Sequence, residues 1–355
     1  AKIYSLNDPG RNSLPPSLPV YNARMQRPYS IDQLVNLRMT RNNNGALHIL
    51  TTRWFFLALL LAVLLRLTYQ GGMVAYNGSF HNGSVSGKYL SLATTIIETG
   101  KFIRITKEGH VTPEINRMPV YPYFLAGVFN IFGHGNLHAV VVVQIIVEVS
   151  TIIGIALAAT AINQRLALPC AFFAAMLPNL LVHTAYVLTE NLFLMFFTWG
   201  LCATLWALRA KRPYQLLIAA GIFFSISLYT RPVMMFFPLF LYPTLVYALW
   251  AAKNTRNLHR LWLAAIPVLI MLTAATPRLV DTYNNYGHAV FTTQSGGHML
   301  KWIYPCLRTP WSCSSHGLAW EENGPIVAQK LAALTKTEQI NPLNRDRIMR
   351  QLAVD

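Results

Sequence analysis

The sequence predicts an all-α polytopic membrane protein: a module of about seven transmembrane helices, with a long first external loop that carries interfacial helices. Three observations predict it. Hydrophobic residues make up 54% of the 355 residues and charged residues only 12%, where soluble domains carry about a quarter charged residues. The apolar residues gather in long runs rather than on one face, the pattern of helices buried all round in lipid or among neighbours. The basic residues sit mostly at the ends of those runs, where they orient helices. The short alternating segments of a membrane barrel do not occur. No basic face interleaved with aromatics accompanies the formal charge of +16, so no nucleic-acid partner is expected.

Residues 1–50 are polar and Pro-rich and lack a charged-then-apolar leader, and they read as a cytoplasmic N-terminal tail. The apolar runs 54–69, 137–162, 166–182, 192–208, 214–229, 233–250 and 261–275 read as spans. Arg38, Arg41 and Arg53 precede the first run and place its start inside. "LRAKRP" (Arg209, Lys211, Arg212) and "KNTRNLHR" (Lys253, Arg256, Arg260) are the next basic clusters, and two spans separate them. The stretch 119–132, "PVYPYFLAGVFNIF", is shorter than the roughly 20 residues of a crossing. Were it to cross, Arg209, Lys211 and Arg212 would fall outside. Laid flat on the outer surface, it leaves every cluster inside. Residues 51–276 are therefore the transmembrane module, with external loop 70–118 and an interfacial helix over 119–133 headed by Pro119. Residues 277–355 form an external C-terminal segment. The charged amphipathic stretch "LNRDRIMRQLAVD" that closes the chain reads as the approach to further spans.

This topology brings Arg117, Glu190 and Arg231 to one face. Each arginine stands near a proline at a membrane entry point. Each reads either as a snorkelling anchor or as a forked clamp for a phosphate at headgroup level. Glu190, in "VLTENLF", reads as a helix N-terminal acid capped by Thr189, as a general base, or as the partner of a cationic clamp. Glu148 falls deep in a span, where an acid is costly and is functional or paired. Gln144, one turn earlier on the same face, offers a local hydrogen bond. His183, His298 and His316 show no ligand spacing, so the sequence supports no metal site. Gly-rich nucleotide cradles are absent, and an enzyme on the outer face would need a lipid-borne donor. Cys170 and Cys202 read as packing residues. Cys306 and Cys313 pair or stay free according to the compartment they face. Asn77 and Asn82 each head an "NGS" sequon.

Five stretches, in order, carry a resemblance: "SGKYLSLATTIIETGKF" (86–102), "RMPVYPYFLAGVFNIFG" (117–133), "VLTENLF" (187–193), "SLYTRPVMMFFP" (227–238) and "GHAVFTTQSGGHML" (287–300). The chain resembles multi-span glycosyltransferases of the GT-C fold, such as lipid A aminoarabinose transferases and protein O-mannosyltransferases. The resemblance implies transfer of a sugar, with inversion, from a polyprenyl-phosphate donor to a lipid, glycan or protein acceptor. It implies an integral membrane protein among membrane lipids, a bacterial inner membrane as its home, and an active face that is external or periplasmic. Tyr89, Arg117, Tyr121, Arg231, His298 and Lys301 would line the substrate pocket. The sequence assigns no cofactor and leaves a divalent metal open. The family's aspartate, four residues before its first-loop tyrosine, falls on Val85, which cannot accept a proton. Glu114 and Glu190 are then the candidate catalytic acids, or the register slips, or the chain is an inactive homologue or scaffold. A transporter or flippase for lipid-linked substrates is the other class weighed; the inverted repeats it would show are not visible. The stretch "TPRLVDTYNNYG" also departs from the family at Asp281.

Overall fold

The computed structural model describes residues 51–77, 84–105, 109–251, 257–300, 316–335 and 341–354. The N-terminal tail, Asn82, Lys301, Cys306 and Cys313 lie outside the described residues.

Helix α1 (Arg53–Asn77) starts where the Thr52 hydroxyl accepts the Phe55 N–H. It runs past the predicted end at 69 and carries its apolar face well beyond the run. Trp54, Phe56, Leu60, Leu64 and Leu67 are exposed, as lipid-facing residues are. Phe55, Ala58 and Ala62 pack against Ile152 and Ala156 of α4 (Leu137–Ile162) and Ala171, Ala174 and Ala175 of α5 (Ala167–Met176). The small side chains let these backbones approach closely. The first loop holds α2 (Ser84–Thr99), whose Tyr89, Leu92, Ala93 and Ile96 recur at helical spacing and are buried. A two-stranded hairpin follows, β1 (Ile103–Ile105) antiparallel to β2 (Val111–Pro113), a small exception to the all-α reading. Helix α3 (Val120–Phe132) starts after Pro119 and stops at Gly133, whose φ of 100° is a left-handed conformation open to glycine. Its 13 residues reach about 20 Å. One face is buried through Tyr121, Leu125 and Phe129, while Ile131 and Phe132 are exposed.

The run 166–182 does not form one straight helix. It breaks into α5 and α6 (Pro178–Ala185), bent by 47°. Pro178 has no N–H to continue the ladder, and Leu177 before it takes an extended conformation. The bundle closes with α7 (Glu190–Ala207), α8 (Tyr214–Thr230), α9 (Phe237–Ala251) and α10 (Asn257–Tyr286). Phe224, Leu217, Leu245 and Met271 fill the core between them. Gly200 of α7 lies so close to Phe224 that a Cβ would sit 2.5 Å from the ring.

Among the described residues, four helices are long and apolar enough to cross a membrane: Arg53–Tyr76, Leu137–Ile162, Pro232–Ala251 and Leu261–Tyr286; the bent pair, counted as one span, makes a fifth. The protein is thus an all-α polytopic membrane protein, with four to five candidate spans where seven were expected. The difference lies in α7 and α8, of 18 and 17 residues. They reach only about 25–27 Å against a core of roughly 30 Å. Helix α10 continues through Pro277 to Tyr286, ten residues beyond the expected boundary at 276. After it come α11 (Ser295–His298), α12 (His316–Ala332) and α13 (Pro342–Val354).

Candidate functional site

The site grows from the turn between β2 and α3. Glu114 is buried, and its Oε1 accepts the backbone N–H of Asn116 at 2.6 Å and of Arg117 at 2.9 Å. The carboxylate therefore shapes its own turn. The far end of α10 clasps the same turn from outside. Buried Arg278 donates Nη2 to the Arg117 carbonyl at 3.1 Å and Nε to the Phe291 carbonyl at 3.3 Å. The Tyr286 hydroxyl donates to the Pro113 carbonyl at 3.1 Å, and Thr292 and Gln294 both donate to the Asn116 carbonyl.

With its backbone so held, Arg117 reaches α2. Its Nη1 donates to the Tyr89 hydroxyl at 3.3 Å, and its guanidinium lies 5.1 Å from the Tyr89 ring centroid. Its Nε is buried and has no acceptor among the described residues. Tyr89 meets Tyr121 edge to face at 5.3 Å. Tyr121 donates its hydroxyl to Gln144 Oε1 at 2.7 Å, and the Gln144 amide donates to the carbonyls of Thr184 and Tyr186. Burial first, then the charges of Tyr89 and Glu190, push the Tyr121 phenol well above its ordinary value. It stays a protonated donor.

Glu190 opens α7 and forms an ion pair with Arg231, which terminates α8 in an extended conformation. Both side chains keep solvent access, 37% for Arg231 and 24% for Glu190. The Arg231 guanidinium also lies 5.8 Å from the Phe193 ring. Thr189 does not cap α7 as expected. Its hydroxyl donates instead to Glu190 Oε2 at 3.3 Å.

His298 sits exposed at the end of α11, a short helix packed on α13. Position 85 lies in the first turn of α2, four residues before Tyr89. Glu148 is not served by Gln144, which is engaged with Tyr121. Instead it pairs with Arg66 of α1 at 2.6 Å, both fully buried, while Arg66 also donates to the Ala175 carbonyl at 2.7 Å. Arg66 and Arg278 are the functional-looking residues that sequence reading passed over, while Gln144 was noticed with the wrong partner. Arg66 is a charged group inside an apolar run, which is the signal that could have found it. Among the described residues, no three His, Cys, Asp or Glu side chains gather where they could hold a metal ion.

Residues 115–280 match the family model of dolichyl-phosphate-mannose-protein mannosyltransferases. This match supports a GT-C-type glycosyltransferase family and, coarsely, a membrane glycosyltransferase that uses a lipid-linked sugar. No curated protein and no solved structure matches the chain.

Proposed function

We propose, from the GT-C-type glycosyltransferase family that the segment 115–280 supports, that this chain transfers a sugar from a polyprenyl-phosphate donor, with inversion, on the external face of a bacterial inner membrane. The acceptor is a hydroxyl on a lipid, glycan or protein. The observation that carries the reading is the buried Arg117 Nε, which has no acceptor among the described residues; Arg231, accessible beside the Glu190 carboxylate, is the second cation. A buried N–H without an acceptor is costly, and a phosphate oxygen would satisfy it. Arg117 and Arg231 then stabilise the negative charge that develops on the leaving polyprenyl phosphate.

Glu190 acts as the base on the acceptor. It takes the hydroxyl proton, the acceptor oxygen bonds to the anomeric carbon, and the bond from that carbon to the phosphate oxygen breaks. In the free protein Arg231 holds Glu190 as an ion pair. A donor phosphate competes for Arg231 and releases the carboxylate only when the donor is in place. Glu114 supports the turn, since its oxygen already serves two backbone donors. Tyr89 and Tyr121 form the wall beside Arg117.

The test incubates purified protein with radiolabelled polyprenyl-phosphate sugars, with and without a chelator. Arg231→Gln is expected to lower transfer by about a hundredfold or more, the scale of one charge-stabilising donor. Parental rates in that variant would remove Arg231 from the mechanism. A second reading, an inactive homologue, is favoured by Val85 at the first turn of α2. Under it the parent transfers nothing, and Val85→Asp restores activity.

A further inference from the structure

Helix α13 and the segment that follows α10 enclose a cavity of about 460 Å³ whose wall includes His288, Thr292, Asn341, Asn344, Arg347 and Arg350. Its size falls among small-molecule pockets. The single acid in its wall is Asp346, which is buried and already committed. Its Oδ1 accepts the Gly296 N–H at 2.6 Å, and its Oδ2 accepts the Ser295 hydroxyl at 2.9 Å and Arg350 at 2.7 Å. Arg347 has no acidic partner among the described residues. Asn341 uses its side-chain oxygen on the Leu343 N–H, which leaves its amide hydrogens to donate. Arg347 and Arg350 thus stand in the wall with one carboxylate, which Arg350 neutralises. That balance suits a phosphate group rather than a cation.

We propose that this cavity is a second anion site, which takes a phosphate group carried by a soluble molecule or by a lipid headgroup. Arg347 supplies its uncommitted charge, with Arg350, His288 and the amides of Asn341 and Asn344 around it. The cavity stands apart from the Arg117 turn by one residue's thickness. Thr292 lines it and also donates to the Asn116 carbonyl. The assignment rests on the cavity alone and does not need the transfer reaction.

The test is calorimetric titration of the full chain in detergent with two probes, inorganic pyrophosphate and short-chain phosphatidic acid. Using Arg117→Gln with Arg231→Gln as the background removes both cations of the first phosphate site. At least one probe is expected to saturate a single site whose affinity falls as salt rises. The probe with the tighter isotherm identifies the source as soluble or lipid. Adding Arg347→Gln is expected to weaken binding about tenfold, the effect of one hydrogen bond to a charged group, while Arg347→Lys keeps most of it and shows that the fold survives. Absence of saturation with both probes, or isotherms unaltered by Arg347→Gln, overturns the site. Transfer is measured on the parent chain with labelled donor, so the two readings fail separately.

Discussion

Arg117 and Arg231 do different work although both are arginines beside a proline. Arg117 is fixed through its backbone and presents a buried, unanswered Nε. Arg231 is solvent-accessible and already paired with Glu190. Removing Glu190's charge by Glu190→Gln should therefore tighten binding of an unreactive donor phosphate analogue by a few-fold, since Arg231 loses its competitor, while transfer falls by about a hundredfold or more. Equal losses in affinity and transfer would contradict the exchange between carboxylate and phosphate. Tyr121 predicts a pH effect. Its folded value lies well above the 10.0 of a free phenol. As pH rises through that ordinary value the unfolded chain releases a proton that the folded chain keeps, so stability falls by up to about 1.4 kcal/mol per pH unit from there upward. Below it the contribution is constant. Thermal melts above pH 10 should show this slope in the parent and a shallower one in Tyr121→Phe. At this scale the sequence made Tyr89, Arg117, Tyr121, Glu190 and Arg231 legible, because charge placement and motif order put them together. Arg278 and the bonding of Gln144 stayed hidden. Their partners are backbone carbonyls 161 and about 40 residues away in sequence, and no local spacing encodes such a bond.

Among the elements, the broken pair α5–α6 and helix α1 depend on one another. The bend leaves the Ala175 carbonyl without a helical donor, and Arg66 supplies one while neutralising Glu148. Arg66→Leu alone should cost about 3 kcal/mol or more, because it strands a buried carboxylate. Arg66→Leu with Glu148→Leu should recover much of that loss, as read from detergent melting of both variants. Close packing gives a second test. Gly200→Ala forces a methyl against the Phe224 ring and should destabilise the α7–α8 contact by about 1–3 kcal/mol. Helix positions were legible from the apolar runs, since a run long enough for a span is also long enough for a helix. The break was not read from the sequence although Pro178 marks it, because an apolar composition continues unchanged across residue 177. The short reach of α7 and α8 was legible, since the runs 192–208 and 214–229 are no longer than the helices.

For the molecule as a whole, the site depends on groups far apart along the chain. Four side chains at or beyond the end of α10, Arg278, Tyr286, Thr292 and Gln294, hold the backbone of the turn 113–117. Of these only Arg278 falls within the matched segment 115–280. Removing two of the distal grips together, Thr292→Ala with Gln294→Ala, should raise the donor KM several-fold with a smaller change in kcat, because the turn that presents Arg117 loosens without losing a reacting group. An unchanged KM would show that Arg278 and Glu114 suffice. A practical corollary concerns anyone trimming this protein to its recognisable homology block: the excised piece would retain Arg117 and Arg231 yet lose Glu114, Tyr286, Thr292 and Gln294, the fasteners that aim Arg117, so donor binding read from such a fragment would understate the intact chain.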